Sequence, residues 1–390
     1  MISRRSAIFL VLAAGALAGP HLADPSPQAQ KPTALKLPLK DGSIRFAVIG
    51  DTGRANSGQI EVGAQMAAVQ REFPFNLVIM LGDNIYGTDS PADMDAKFAS
   101  PYKALLDRGV EFRAAIGNHD NPNQRFYKLF NMGGERYYTF HPPKNADGKG
   151  EVAVRFYALD TNYLEKVQTD WLEKELASSV SPWKIAFFHH PLYSSGKTHG
   201  SALETRAILE PLFIKYGMSA AFSGHDHFYE RILPQKGGIG YWVSGAGGSL
   251  RKGDVRVGSA LTAKAFDTDY SFMIIEIAGD DMYFQAISRR GETIDSGVFH
   301  RPGAKAPEVA ATPSPAPVLI VPAPVPAAVP AVSPAAPAGT PRALPSPSAS
   351  PTGKASPSPA AKASRSPTGK ASRSPTGKPS PSPSPMRPAA

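Results

Sequence analysis

Two stretches carry the same message: Ile44-Arg45-Phe46-Ala47-Val48-Ile49-Gly50-Asp51-Thr52-Gly53 and Leu77-Val78-Ile79-Met80-Leu81-Gly82-Asp83-Asn84-Ile85-Tyr86. In each, an apolar run of strand length stops at a glycine and an aspartate follows. The pattern returns three times with other polar groups. Phe112–Ile116 leads into Gly117-Asn118-His119-Asp120, Lys184–Phe188 into His189-His190-Pro191, and Ala220–Phe222 into Gly224-His225-Asp226-His227. Polar residues beyond the carboxyl ends of strands are where α/β folds place their sites. Carboxylate, amide, phenol and imidazole together are the donors of hard or borderline metal ions.

Working outward, Gln59–Glu72, Asp93–Leu106, Thr169–Ser178 and Ala202–Tyr216 read as helices between the strands. Tyr137–Phe140 and Val152–Leu159 read as two further strands. The end of the segment is strand-like only, at Gly240–Ser244, Phe272–Ile277, Met282–Ile287 and Thr293–Phe299. Strands alternating with helices, then a β-rich end, predict an α/β fold of two packed sheets flanked by helices.

The ends of the 390-residue chain differ from its middle. Residues 1–23 read as a signal peptide: Arg4 and Arg5, a short apolar stretch from Ala7 to Gly19, and small-residue cleavage sites at Ala16-Leu17-Ala18 or Ala23. Ser3-Arg4-Arg5 before an apolar run also matches part of a twin-arginine export signal. Export to the periplasm or beyond is therefore expected. Residues 24–40 read as a linker and 41–301 as one domain. Residues 302–390 read as a disordered tail rich in Pro, Ala and Ser, with Ser-Pro-Thr-Gly-Lys repeated at 350–354, 366–370 and 374–378.

Nine basic residues against one acid in that tail account for +8 of the chain's +9 net charge. The domain itself is close to neutral, so no nucleic-acid partner is expected for it. The tail could lie on an anionic envelope surface or be a solvated linker. There is no cysteine, which excludes disulfides and thiolate ligands.

The ordered series Asp-x-Gly, Gly-Asp-x-x-Tyr, Gly-Asn-His-Asp, a histidine motif and Gly-His-x-His resembles the calcineurin-like metallophosphoesterases. Tyr86 makes the chain most similar to the purple, tartrate-resistant acid phosphatases. The resemblance implies a four-layer αββα sandwich. It assigns one ion to Asp51, Asp83, Tyr86 and His227, and a second to Asp83, Asn118, His189 and His225, with Asp83 shared. A tyrosine, with a reference pKa near 10, ligates only a metal able to remove its proton. Fe(III) is thus expected beside Tyr86, and a divalent Fe, Zn or Mn at the other position.

The implied reaction is hydrolysis of a small phosphomonoester by attack of a hydroxide activated at the two metals. His119 is the candidate to contact the phosphate and protonate the leaving group, Asp120 to orient it, and His199 to be a second active-site histidine. His190 is expected behind His189. His21, His141 and His300 lie outside every motif; Asp160 reads as structural, and Gly245–Gly248 as a turn lining the pocket.

Two rivals stand beside the monoesterase: a phosphodiesterase or nucleotide pyrophosphatase with the same metals, and an envelope-binding protein acting through its tail. A monomer is expected.

Overall fold

In a computed structural model, residues 33–143 and 153–304 are described; the expected signal peptide, most of the expected linker and the expected tail from 305 lie outside them. Thirteen strands are present among the described residues: β1 (Ile44–Ile49), β2 (Leu77–Met80), β3 (Glu111–Ala114), β4 (Tyr138–Phe140), β5 (Val154–Ala158), β6 (Trp183–Phe188), β7 (Ala220–Ser223), β8 (Tyr229–Ile232), β9 (Gly240–Ser244), β10 (Thr262–Phe266), β11 (Ser271–Ala278), β12 (Asp281–Ser288) and β13 (Thr293–His300). They form two sheets, one ordered β13-β12-β11-β1-β2-β3 and the other β10-β8-β9-β7-β6-β5-β4. β1, β2 and β3 run parallel, as do β5, β6, β7 and β9. Five polar motifs therefore emerge at the carboxyl ends of parallel strands, three of them (after β1, β2 and β3) on one sheet and two (after β6 and β7) on the other.

Alternation along the second sheet explains the layering. Phe156 and Ala158 of β5, Ile185 and Phe187 of β6, Phe222 of β7 and Trp242 of β9 face the first sheet. Their neighbours Tyr157, Ala186, Phe188, Ala221 and Tyr241 point the other way, onto Leu172, Leu176, Leu209 and Phe213. Those four leucine and phenylalanine side chains belong to two helices, Lys166–Ser178 and Leu203–Lys215. On the far side, Val62, Met66 and Val69 of the helix Ser57–Glu72 join the core with the first sheet. Between the sheets, Phe46 meets Phe156 edge-on at 5.1 Å and Phe222 stacks on Trp242 at 5.3 Å. The result is an αββα sandwich with helices on both outer faces.

Three sequence expectations change. The helix read over 93–106 is broken into Pro91–Met94, a π turn at Asp95–Ala99, and Lys103–Leu106. Pro101 has no amide hydrogen to donate, so the helical ladder is interrupted there, while Ser100 keeps right-handed helical backbone. β8 and β10 are additional, and their composition hid them: Glu230 and Arg231 interrupt one, and Lys264 the other.

The domain also begins before 41. Thr33 and Leu37 are buried, Gln65 donates to the Thr33 hydroxyl (2.8 Å), and buried Glu276 accepts from the amides of Leu39 (2.8 Å) and Lys40 (2.5 Å) and from the Ser43 hydroxyl (2.7 Å). Residues 33–40 are a strap on the first sheet, held by a carboxylate that would be costly to bury without those donors.

Candidate metal centre

The backbone at the strand ends is under visible constraint. Asp51, Asp83 and His225 all adopt positive φ, at 56°, 51° and 71°. Non-glycine residues are uncommon there, and such strain persists only where surrounding contacts over-determine it. Those contacts join neighbouring loops: Asp51 N donates to Gly82 O (3.0 Å), Thr52 N to Asp83 O (3.1 Å), Tyr86 N to Gly53 O (3.0 Å) and Gly224 N to His189 O (3.0 Å). Gly82 is itself at φ +86°, and a methyl added to it would sit 2.7 Å from His189 Nδ1 and 2.8 Å from Gly117 N. A methyl on Gly117 would meet Asp83 N and Oδ1 at 2.2 Å. These two glycines let the loops after β2, β3 and β6 close onto one another.

The side chains so positioned form two clusters. Ligand atoms of Asp51, Asp83 and His227 lie within 4.8 Å of one another, and Tyr86 completes that group: its hydroxyl is 3.3 Å from Asp51 Oδ1 and 3.1 Å from His227 Nε2. In the second cluster His189 Nε2 is 2.9 Å from Asn118 Oδ1, 3.0 Å from His225 Nδ1 and 3.4 Å from Asp83 Oδ1.

The proton positions make this second cluster informative. His189 Nδ1 is 2.9 Å from the Leu81 carbonyl, which can only accept, so the proton of a neutral imidazole is on Nδ1 and Nε2 presents a lone pair. That lone pair faces two oxygens, Asn118 Oδ1 and Asp83 Oδ1, which also only accept. Acceptors converging at such distances call for a cation among them, and the N and O donor set suits a divalent transition metal.

Electrostatics point the same way. Burial, then neighbouring Asp83, pushes the Asp51 carboxyl well above its usual range. Burial holds His189 and His225 well below the usual imidazole range, and His227 is lowered to about 4 by burial and then by Arg251. Tyr86 is raised by burial and by Asp51. The pocket alone resists charge of either sign, and bound cations invert that preference.

All seven expected ligands (Asp51, Asp83, Tyr86, Asn118, His189, His225 and His227) are thus gathered. His190 offers an alternative third nitrogen beside His189 and His225. However, His190 Nδ1 is engaged with the Thr161 hydroxyl at 2.9 Å, and the Asn118 oxygen stands nearer to His189.

His119 and His199 are also brought to the centre. The exposed His119 ring is 5.0 Å from the ring of Tyr86, and its amide donates to Asp83 Oδ1 (2.9 Å). The ring of His199 lies 4.1 Å from that of His225.

Asp120 departs from expectation. Its carboxylate accepts from Gly117 N (2.8 Å), Ile85 N (2.9 Å) and Asn84 Nδ2 (2.9 Å), and no hydrogen bond joins it to the His119 imidazole. Those donors turn it inward, so it ties the loops after β2 and β3 together instead of orienting His119. Burial and Asp83 raise it to about 7.

The other outlying residues behave as expected. Asp160 accepts from Asn162 and pairs with Arg136 (3.3 Å), His141 faces the Val154 carbonyl and His300 pairs with Asp281. His21 lies outside the described residues. The 245–248 turn packs on the Asp51 loop, where Gly247 N donates to Gly50 O (3.0 Å).

Sequence reasoning missed the carboxylates that hold the His199 loop. Asp254 accepts from Thr198 N (3.1 Å) and Oγ1 (2.6 Å), Asp226 from Ser194 Oγ and Gly200 N, and Glu230 from Ser195 N (2.9 Å). Only Asp226 lay within a motif. Asp254 and Glu230 had no signal, because their partners are 56 and 35 residues away.

Comparison with known proteins agrees with this geometry. The calcineurin-like phosphoesterase family model matches residues 44–229. Purple acid phosphatase 17 of Arabidopsis thaliana is 26% identical over 242 residues, covering 55% of this chain and 71% of that protein. Human tartrate-resistant acid phosphatase type 5 is 25% identical over 312 residues, covering 67% and 93%. Among solved structures, a purple acid phosphatase from yellow lupin seeds aligns with a TM-score of 0.54 at 21% identity, over 67% of this chain and 54% of that one.

Proposed function

Because residues 44–229 match the calcineurin-like phosphoesterase family model, we propose that this chain is a phosphoester hydrolase that acts as a dinuclear metal-dependent phosphatase on phosphomonoesters. The observation that carries the reading is the convergence of His189 Nε2, Asn118 Oδ1, His225 Nδ1 and Asp83 Oδ1, acceptors with no proton to share among the first two.

Asp83, Asn118, His189 and His225 would hold one ion, and Asp51, Asp83, Tyr86 and His227 the other. Two ions so held would lower the pKa of a water and neutralise charge on the phosphoryl oxygens.

The remaining work belongs to the chain. Leu81 O fixes the ring of His189 through Nδ1, so that Nε2 faces inward. His119, exposed and anchored through its amide on Asp83, is placed to contact the phosphoryl group and give a proton to the departing alcohol oxygen. His199 stands beside His225 to hydrogen-bond a second phosphoryl oxygen. Tyr86, whose buried phenol lies well above its ordinary pKa, gives up its proton only to a strongly Lewis-acidic ion, which supports ferric iron on that side.

Export through residues 1–23 and contact of the basic tail with an anionic envelope belong to the same reading. They rest on the sequence of segments outside the described residues.

The test compares p-nitrophenyl phosphate with bis(p-nitrophenyl) phosphate and records the visible spectrum of the oxidised protein. Faster monoester turnover and an absorption band lost in Tyr86→Phe are expected. Preferential diester cleavage would replace the monoesterase by its rival, and a colourless, iron-free active protein would remove iron from the proposal.

A further inference from the structure

Arg54 follows the first motif directly and takes no part in the ligand clusters, yet it is held with unusual care. Its guanidinium carbon lies 3.5 Å from the centre of the Tyr86 ring, and its Nε donates to the hydroxyl of Ser249 at 3.0 Å. Its backbone amide donates to Gln59 Oε1 at 3.0 Å, and the Ser249 loop is itself fixed where Asn56 Nδ2 donates to Gly248 O at 2.9 Å. The residue is exposed, and among the described residues no carboxylate forms an ion pair with it. Backbone, Nε and one face of the fork are therefore engaged, and on this exposed residue the two terminal nitrogens make no hydrogen bond among the described residues.

Arg251 stands next to the same half of the site. Its amide donates to the His227 carbonyl at 3.1 Å, and its buried Nη1 lies 3.6 Å from Asp254, an ion pair without a hydrogen bond.

A planar guanidinium immobilised by stacking is a pre-organised receptor for phosphate, because its two terminal N–H groups match two phosphoryl oxygens and little rotamer entropy remains to be lost. Resting on the proposed phosphatase reading, we infer that Arg54, supported by Arg251, forms a subsite for a second phosphoryl group, so that the preferred substrates are phosphomonoesters carrying another phosphate. The reacting phosphate occupies the metal centre, and the second lies over the Tyr86 edge, where Arg54 is the open cation. A domain that is otherwise near neutral thereby presents positive charge at the mouth of its site, which selects among substrates by charge.

Fructose 1,6-bisphosphate and fructose 6-phosphate, differing by one phosphate, provide the test with metal-loaded full-length protein. The ratio of their kcat/KM values is the readout, because a general disturbance of Tyr86 or of the metals affects both substrates and cancels. Wild type is expected to favour the bisphosphate, and Arg54→Gln to lower the ratio about tenfold, mainly through KM, as expected for loss of a charge-assisted contact. Arg54→Lys, which keeps the charge and loses the fork, should fall between the two.

An unchanged ratio in Arg54→Gln, or a wild type with no preference, overturns the subsite while leaving the phosphatase reading intact. If wild type hydrolyses neither sugar phosphate nor p-nitrophenyl phosphate with metals present, the phosphatase reading fails and takes the subsite with it.

Discussion

The ligands at the strand ends and the two exposed histidines occupy one centre but are built by opposite means. Asp51, Asp83 and His225 are each held in a left-handed backbone conformation by hydrogen bonds between neighbouring loops, and Asp51, Asp83 and His189 are almost wholly buried. His119 and His199 sit on loops. One is exposed and tied through its amide; the other is at the end of a loop staked by Asp254, Asp226 and Glu230. The first arrangement suits groups that must define fixed positions for cations. The second suits groups that meet a substrate from solution and exchange protons with it.

That contrast can be broken at several points. Asp83→Ala removes the carboxylate common to both clusters; kcat/KM for p-nitrophenyl phosphate should fall by at least about three orders of magnitude, together with the bound metal, since transition-state charge worth several kcal/mol loses its support. Retained turnover would mean that Asp83 does not bridge.

His119→Ala should instead lower kcat about 10²- to 10³-fold, the scale of one lost general acid, while metal content stays at the wild-type level. If metal is lost as well, His119 belongs with the ligands and the division drawn above is wrong.

Gly82→Ala forces a methyl against His189 Nδ1 at a positive φ. Unfolding in urea should show a loss of about 1–3 kcal/mol, accompanied by weaker metal retention. A neutral result would show that the strand ends tolerate more than their contacts suggest.

Thr198→Val removes a donor to Asp254 and loosens only the His199 loop. Turnover should drop about threefold to tenfold with unchanged stability of the metal centre, in keeping with one lost hydrogen bond of about 0.7–1.4 kcal/mol. The smallest effect belongs to truncation after Ala304, where kcat/KM should stay within about twofold of the full chain, as every residue assigned to the centre precedes it.

Much of this is legible in the sequence. The runs ending at Gly50, Gly82 and Phe188 are apolar because both faces of those strands are covered, and the polar residues that follow have nowhere to go but the site. Local pattern suffices when a residue's role is set by the strand that precedes it.

It fails when the role is set by something distant. Glu230 sits in a strand that its own charge disguises, and Glu276 anchors the 33–40 strap from 236 residues away. Asp254 lies in a loop with no periodicity at all. Asp120 was misjudged for a related reason: adjacency to His119 suggested an orienter, whereas the turn at Gly117 directs its carboxylate into the loop amides. Arg54 was in plain view beside Asp51, but its meaning depends on the ring of Tyr86, which the fold brings to it.

The most direct test of the two-cluster centre is the metal content of the purified protein, measured alongside activity before chelation, after it, and after metal is restored. Two ions per chain, activity lost with them and recovered on their return, and about half that content or less in Asp83→Ala are the predicted results. Full turnover by a protein carrying no bound metal would contradict the account.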